Sequence, residues 1–128
     1  MTLLQNLLQR LSGNNRDIIF FMVTIDDFSK LEFKVGKVMS ADPIEGSEKL
    51  LKLMVDVGED QPRQILSGIA KWYTADDLVN NSFIFITNLA PRMMMGLESQ
   101  GMLLAAESDD QPVPLVPLTE VAPGAKIR

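Results

Sequence analysis

The chain has 128 residues, 46% of them hydrophobic and 23% charged, with no Cys and no His. That length and balance suit one domain with a buried core. The two absences exclude disulfides, thiolate nucleophiles, zinc fingers, iron–sulfur sites and imidazole-based catalysis or metal binding. Twelve Lys+Arg against 17 Asp+Glu give a formal charge of −5, which on its face opposes binding to nucleic acid.

The chain opens with Leu3, Leu4, Leu7, Leu8 and Leu11 at helical spacing, an apolar stripe along one helix face. Ser12-Gly13-Asn14-Asn15 stops that helix. The apolar run Ile18–Val23 follows. It is too short to cross a bilayer, which takes about 20 residues, and no small-residue cleavage site follows it. Residues 1–23 are therefore expected to be an amphipathic helix and arm that pack on the domain or on a partner; the alternative takes Met22 as the true start. No membrane association is expected.

Residues 24–128 are expected to be the folded domain. Asp26-Asp27 at the head of a single helical turn sit where the helix dipole favours acids. Phe33–Val38 alternates imperfectly, and Gly36 with the break in phase suggests a bulge or sharp bend. Leu51–Val57 alternates cleanly, with Leu51, Leu53, Val55 and Val57 on one face. Gly58–Pro62 reads as a hairpin loop and Arg63–Gly68 as the returning strand. Thr74-Ala75-Asp76-Asp77-Leu78 has capping residues before a short helix. Ser82–Leu89 reads as a central strand and Gly101–Ala106 as another. A polar hairpin at Glu107–Gln111 leads to Val113–Val116, and Pro117–Arg128 is an extended, Pro-rich tail. The β-β-β-α-β-β order predicts an all-β fold, a five-stranded OB-fold barrel with one short helix between strands 3 and 4.

Three phrases carry a resemblance. They are Lys34-Val35-Gly36-Lys37-Val38 followed by Lys49-Leu50-Leu51-Lys52-Leu53; Ile65-Leu66-Ser67-Gly68-Ile69-Ala70; and Asn88-Leu89-Ala90-Pro91-Arg92 through Met95-Gly96-Leu97-Glu98-Ser99-Gln100-Gly101-Met102-Leu103-Leu104-Ala105. In that order and spacing, from Thr24 to Arg128, the chain resembles the tRNA-binding domain family. The last phrase makes it most similar to the C-terminal domain of bacterial methionyl-tRNA synthetases and to stand-alone tRNA-binding proteins. The resemblance implies an OB-fold, homodimerisation, binding of tRNA by shape and backbone, and no catalysis or cofactor. One branch of the family acts instead as a chaperone-like dimer, which leaves a protein-interaction module with a weakened RNA site as the competing reading. The family's usual Lys after the Pro-Arg pair is Met93 here. The sequence holds no ATP-binding signature of a synthetase. The expectation is a cytoplasmic domain that assists a methionyl-tRNA synthetase catalytic subunit in trans.

RNA held on an OB-fold needs cations along its backbone path and groups that bond phosphates and 2′-hydroxyls. Lys34, Lys37, Lys49 and Lys52 are the first candidates. Lys30 to Lys52 holds five Lys against four acids in a chain that is acidic overall. Alternation predicts that Lys34 and Lys52 point away from the core; ordinary surface lysines are the bland reading. Arg92 can grip a phosphate with two parallel hydrogen bonds. Asn88, Ser99 and Gln100 suit ribose or phosphate contacts, or else serve their own turns. Ser67 lies beside Gly68, where RNA can approach the backbone. Met95, in the run Met93-Met94-Met95, can pack on a base or ribose, or plug the barrel end. Trp72 and Tyr73 read as structural. The pairs Asp26/Asp27, Asp76/Asp77 and Asp109/Asp110 read as caps and turns rather than metal cages. The dimer surface is expected in the tail, with Pro117, Pro123 and Ile127.

Overall fold

The computed structural model describes residues 3–4 and 22–128. Leu7, Leu8 and Leu11 of the leucine stripe, the Ser12–Asn15 stop and the run from Ile18 to Phe21 lie outside the described residues. The chain divides into two compact units, residues 1–30 and 31–128. In the first, helix α1 (Ile25–Ser29) begins with a reciprocal capping box. The Thr24 hydroxyl accepts from Asp27 N at 3.2 Å, and the Asp27 carboxylate accepts from Thr24 N at 3.2 Å.

The second unit is a barrel. Its sheet has the order β3-β2-β1-β4-β7, from β1 (Phe33–Pro43), β2 (Leu51–Asp56), β3 (Arg63–Ser67), β4 (Ser82–Ile86) and β7 (Met102–Leu103). Helix α2 (Ala75–Leu78) lies between β3 and β4, as the OB-fold order predicts. All four pairings are antiparallel. The clean alternation of β2 appears in its burial, with Leu51, Leu53 and Val55 inside and Lys52, Met54 and Asp56 towards solvent. The core joins Val38, Leu53, Val55, Ile65, Leu78 and Phe85, each essentially removed from water. Burying a side chain of that size stabilises the fold by about 2 kcal/mol.

Strand β1 is long enough to serve two partners because it bends. Its first half pairs with β4 and its second half with β2, and the register shifts between Val38 and Ser40. Gly36 faces the interior. A Cβ there would stand 2.6 Å from Val55 Cγ1 and 2.7 Å from the Phe85 ring, so only glycine lets β1 cross the core so closely. Lys34, two residues earlier, shares that inward phase. The expectation that Lys34 and Lys52 both point away from the core therefore holds for Lys52 alone. Counting alternation from the valines misled it, because Val35 is buried outside the main core cluster, in the phase opposite to Gly36.

That tail is part of the barrel wall. Val35 N donates to Ala125 O, Gly124 N to Val35 O and Ile127 N to Phe33 O, at 2.7–2.9 Å. The chain thus lays a strand-like strap on the half of β1 that β2 does not reach. Gly58 and Gly124 meet where the strap passes the β2–β3 loop. Both have positive φ, and a Cβ on Gly58 would come 2.9 Å from Gly124 Cα.

Two differences from the expected elements concern the stretch after β4. The residues around Arg92, expected to lie merely after a strand end, form a hairpin of β5 (Arg92–Met94) and β6 (Leu97–Ser99). Its two-residue turn is Met95-Gly96, both left-handed with φ 52° and 77°. The expected strand over 101–106 breaks at Leu104 into β7 and β8 (Ala105–Ser108). Leu104 N bonds Ile84 O, and Leu104 O accepts from Leu115 N. Strand β8 then pairs with β9 (Gln111–Pro114) around Asp109-Asp110, two left-handed residues at the turn.

Candidate nucleic-acid interface

Strand β3 has β2 on one side. Its other edge would expose the N–H groups of Gln64 and Leu66. Side chains from the β6 end cover them instead. Leu66 N donates to Ser99 Oγ at 3.0 Å and Gln64 N to Gln100 Oε1 at 3.1 Å; Gln100 N returns a bond to Gln64 O at 2.8 Å. Gln64 Nε2 adds a bond to Glu98 O at 2.9 Å. The barrel is closed here by side chains as well as backbone, and Ser99 is 5% exposed, with its own O–H given to Gly101 O. Ser99 and Gln100, read from sequence as candidate RNA contacts, are thus occupied in the seam.

The seam produces a lateral row. Lys52 stands opposite Leu66 in the β2–β3 ladder, Leu66 bonds Ser99, and Ser99 stands opposite Arg92 in the β5–β6 ladder. Three steps at the usual inter-strand spacing make the row about 15 Å wide. Lys52 faces out from β2, and Arg92 is exposed. At one flank the hairpin tip reaches the β1–β2 loop, where Met95 Cε lies over Gly46, 3.5 Å from where a Cβ would stand. That loop carries Lys49, whose carbonyl accepts from Ala70 N at 3.0 Å just beyond Ser67. Lys52, Arg92 and Met95 therefore lie along one seam, with Lys49 in the adjoining loop, whereas Ser67 stands opposite the buried Leu51 and shares its inward phase. Met93 and Met95 are 66% and 55% exposed.

The other candidates lie elsewhere. Lys34 joins a four-charge cluster at one mouth of the barrel with Glu32, Glu59 and Arg63. Lys34 Nζ is 3.4 Å from Glu32. Glu32 accepts from the Thr87 hydroxyl at 2.6 Å. Arg63 meets Glu59 through Nε and Nη2 at 2.7 and 2.8 Å. The Thr87 hydroxyl and then Lys34 hold the Glu32 carboxyl below its ordinary pKa; Arg63 does the same for Glu59, and Glu59 raises Arg63. Asn88 Oδ1 accepts from Glu32 N at 2.7 Å, which fixes the loop after β4. Lys37 stands beside Asp56 and Ser82 in the ladders and lines a cleft of about 1020 Å³ with Asp56, Asp77 and Glu120. Tyr73 packs on the core and gives its hydroxyl to Pro112 O at 2.7 Å, a structural role. Among the described residues no group of His, Cys, Asp and Glu is placed to hold a metal.

Residues 33–126 match the family model described as "Putative tRNA binding domain". The chain belongs to this tRNA-binding domain family. Among curated relatives, a methionine–tRNA ligase of Methanoregula boonei is 53% identical over 107 residues, which is 84% of this chain and 16% of the ligase. That of Methanocella arvoryzae is 50% identical over 106 residues, 83% of this chain and 15% of the ligase. The chain thus spans about one-sixth of the length of these ligases. Among solved structures, the MetRS related protein from Pyrococcus horikoshii superposes with a TM-score of 0.78 at 39% identity, covering 84% of this chain and 98% of that one. The CsaA chaperone protein from Picrophilus torridus gives 0.77 at 28% identity, covering 84% and 100%. Both likenesses extend over most of this chain rather than over one motif.

Sequence reasoning passed over the contribution of Arg63, Gln64 and Glu59. A polar strand edge facing a Ser-Gln pair some 35 residues on has no local signal. The one available hint was Gln64 and Arg63 opening a strand that should have been apolar.

Proposed function

We propose that the domain binds tRNA without catalysing a reaction on it, gripping the backbone with the Lys52–Arg92 row and the adjoining Lys49 loop. The single observation that carries this reading is that row: two outward cations, set across one seam, inside the segment the family model matches. Met95 offers a thioether for a base or ribose. Ser99, Gln100 and Asn88 serve as positioning residues. Lys34 and Lys37 add field rather than contact, since Lys34 is ion-paired with Glu32 and Lys37 lines a cleft away from the row with Asp56, Asp77 and Glu120. The net charge of −5 then implies few phosphate contacts and binding on one face.

The kinship with methionine–tRNA ligases supports a role in supplying tRNA to a methionyl-tRNA synthetase catalytic part. The binding sites of a homodimer would add avidity. Of the expected tail surface, Gly124, Ala125 and Ile127 are tied to β1, while the stretch from Val116 to Val121 presents apolar side chains to solvent. Val116, Leu118 and Val121 are exposed, Leu118 fully at 99%. A fully exposed Leu among apolar neighbours marks a surface for a partner, and a second copy is the partner proposed. Leu118→Asp is expected to turn a dimer into a monomer in sedimentation equilibrium while the thermal midpoint of unfolding barely moves. The likeness to the CsaA chaperone protein favours one second reading, a dimeric protein-binding module whose cations are dispensable. A filter-binding titration with bulk tRNA at low salt separates the two. Retention of tRNA supports the first reading, and no binding supports the second.

A further inference from the structure

Arg63 lies on β3 beside the row, yet each of its three guanidinium nitrogens is bonded to another group of the protein. Nε and Nη2 grip Glu59 of the β2–β3 loop, and Nη1 donates to two carbonyls, those of Thr87 and Gln100, the latter at 3.1 Å. Those carbonyls are not neighbours in sequence. Thr87 is the first residue after β4, and Gln100 is the first after β6. The whole excursion between them, residues 88–99, holds Arg92, Met93, Met95 and the hairpin turn. One guanidinium nitrogen thus pins both ends of the excursion together.

Other bonds hold each end separately. Asn88 bonds Glu32 N at the entering end. At the leaving end Gln64, Ser99 and Gln100 form the seam on β3. A planar fork that bonds Glu59 with two nitrogens and the carbonyls with the third sets direction as well as distance; a Lys ammonium in its place carries the charge without the geometry.

We infer that Arg63, oriented by Glu59, is a positioning residue that clasps the two ends of the 88–99 excursion and so sets where Arg92 meets the RNA backbone. Arg63 makes no RNA contact itself. This rests on the proposed tRNA-binding reading for its consequence, although the clasp can be seen without RNA.

The test has two arms. In the first, tRNA affinity is measured for wild type, Arg63→Lys, Arg92→Ala and the double variant, well below the unfolding transition. Arg63→Lys is expected to weaken binding about fivefold alone and less than twofold when Arg92 is already Ala, because an absent side chain cannot be misplaced. Lys52→Ala is expected to combine with Arg63→Lys in full. Full multiplication of the Arg63 and Arg92 effects would show a direct contact by Arg63 and overturn the inference. In the second arm, amide hydrogen exchange is followed without RNA. Arg63→Lys is expected to speed exchange about tenfold or more within residues 92–99 and leave the β1–β2 ladder unchanged. Glu59→Gln, which leaves Arg63 in place, is expected to do the same more weakly. Unchanged exchange in the hairpin of both variants overturns the clasp. If wild type binds no tRNA at all, the proposed function fails, and the exchange arm still decides this inference.

Discussion

Two groups of cations lie near the seam between β3 and β6. Lys34 and Arg63 are drawn into a cluster with Glu32 and Glu59, their charges matched and their donors spent on side chains and carbonyls. Lys52 and Arg92 stand in a row on the outer side, with an apolar Leu66 and a buried Ser99 between them. The sequence presents all four simply as basic residues in or near strands. What separates them is strand phase and ion pairing: Lys34 and Arg63 are paired with carboxylates, whereas among the described residues Lys52, although it stands opposite Asp42 in the β1–β2 ladder, and Arg92 are in no ion pair. Charge matched within the fold goes into holding shape, and charge left facing solvent remains available to a polyanion.

The sharpest contrast lies in stability. Arg63→Ala leaves two carbonyls and Glu59 without their donor and is expected to cost about 2 kcal/mol in urea unfolding, trimmed from the usual worth of charge-assisted bonds because Glu59 is part-exposed. Arg92→Ala is expected to stay within about 0.5 kcal/mol of wild type. Equal losses would erase the distinction between the two groups.

Acid should attack the same cluster. The Glu32 and Glu59 carboxyls titrate below their ordinary value of 4.5 in the folded protein. The unfolded chain therefore binds protons first, so the cluster's contribution is whole above that value and is lost as pH falls through the folded pKa values. Urea midpoints are expected to be level from pH 7 to about 5 and to fall below about 4.5, with a shallower fall in Glu59→Gln. A fall that begins near neutrality would place the decisive titration elsewhere.

The smallest effect concerns the hairpin's other face. Met93 stands opposite Glu98 in the β5–β6 ladder, and both are exposed. Met93→Lys would set a cation beside that carboxylate. It is expected to tighten tRNA binding only about two- to threefold, because Glu98 offsets much of the new charge. A tenfold gain would mean that Glu98 does not face the RNA side.

Much of this was legible in the sequence. The alternation of β2, the capped turn before Leu78 and the three phrases gave the barrel order and the family. The phase of β1 was not, because Gly36 looks like a defect in a strand until the Phe85 ring is found against it. Nor was the closure, since the bonds of Gln64 and Leu66 to residues 98–100 join segments far apart in the chain. Ser99 and Gln100 looked like ligands for the same reason they close the seam: short polar side chains near a glycine satisfy whatever backbone group lies nearest. For Lys52, Lys49 and Arg92 an outward phase or a loop position is all the sequence had to supply to place them at the surface.

The salt dependence of tRNA binding tests the central claim most directly. For wild type the slope of log Kobs against log salt is expected to be shallow, about −2 to −3, as for roughly three phosphates. Arg92→Ala and Lys52→Ala are each expected to make it shallower by about 1, across different tRNAs alike, while Lys34→Ala leaves it unchanged. A protein that retains no tRNA at low salt, or a slope indifferent to Arg92 and Lys52, would contradict the account.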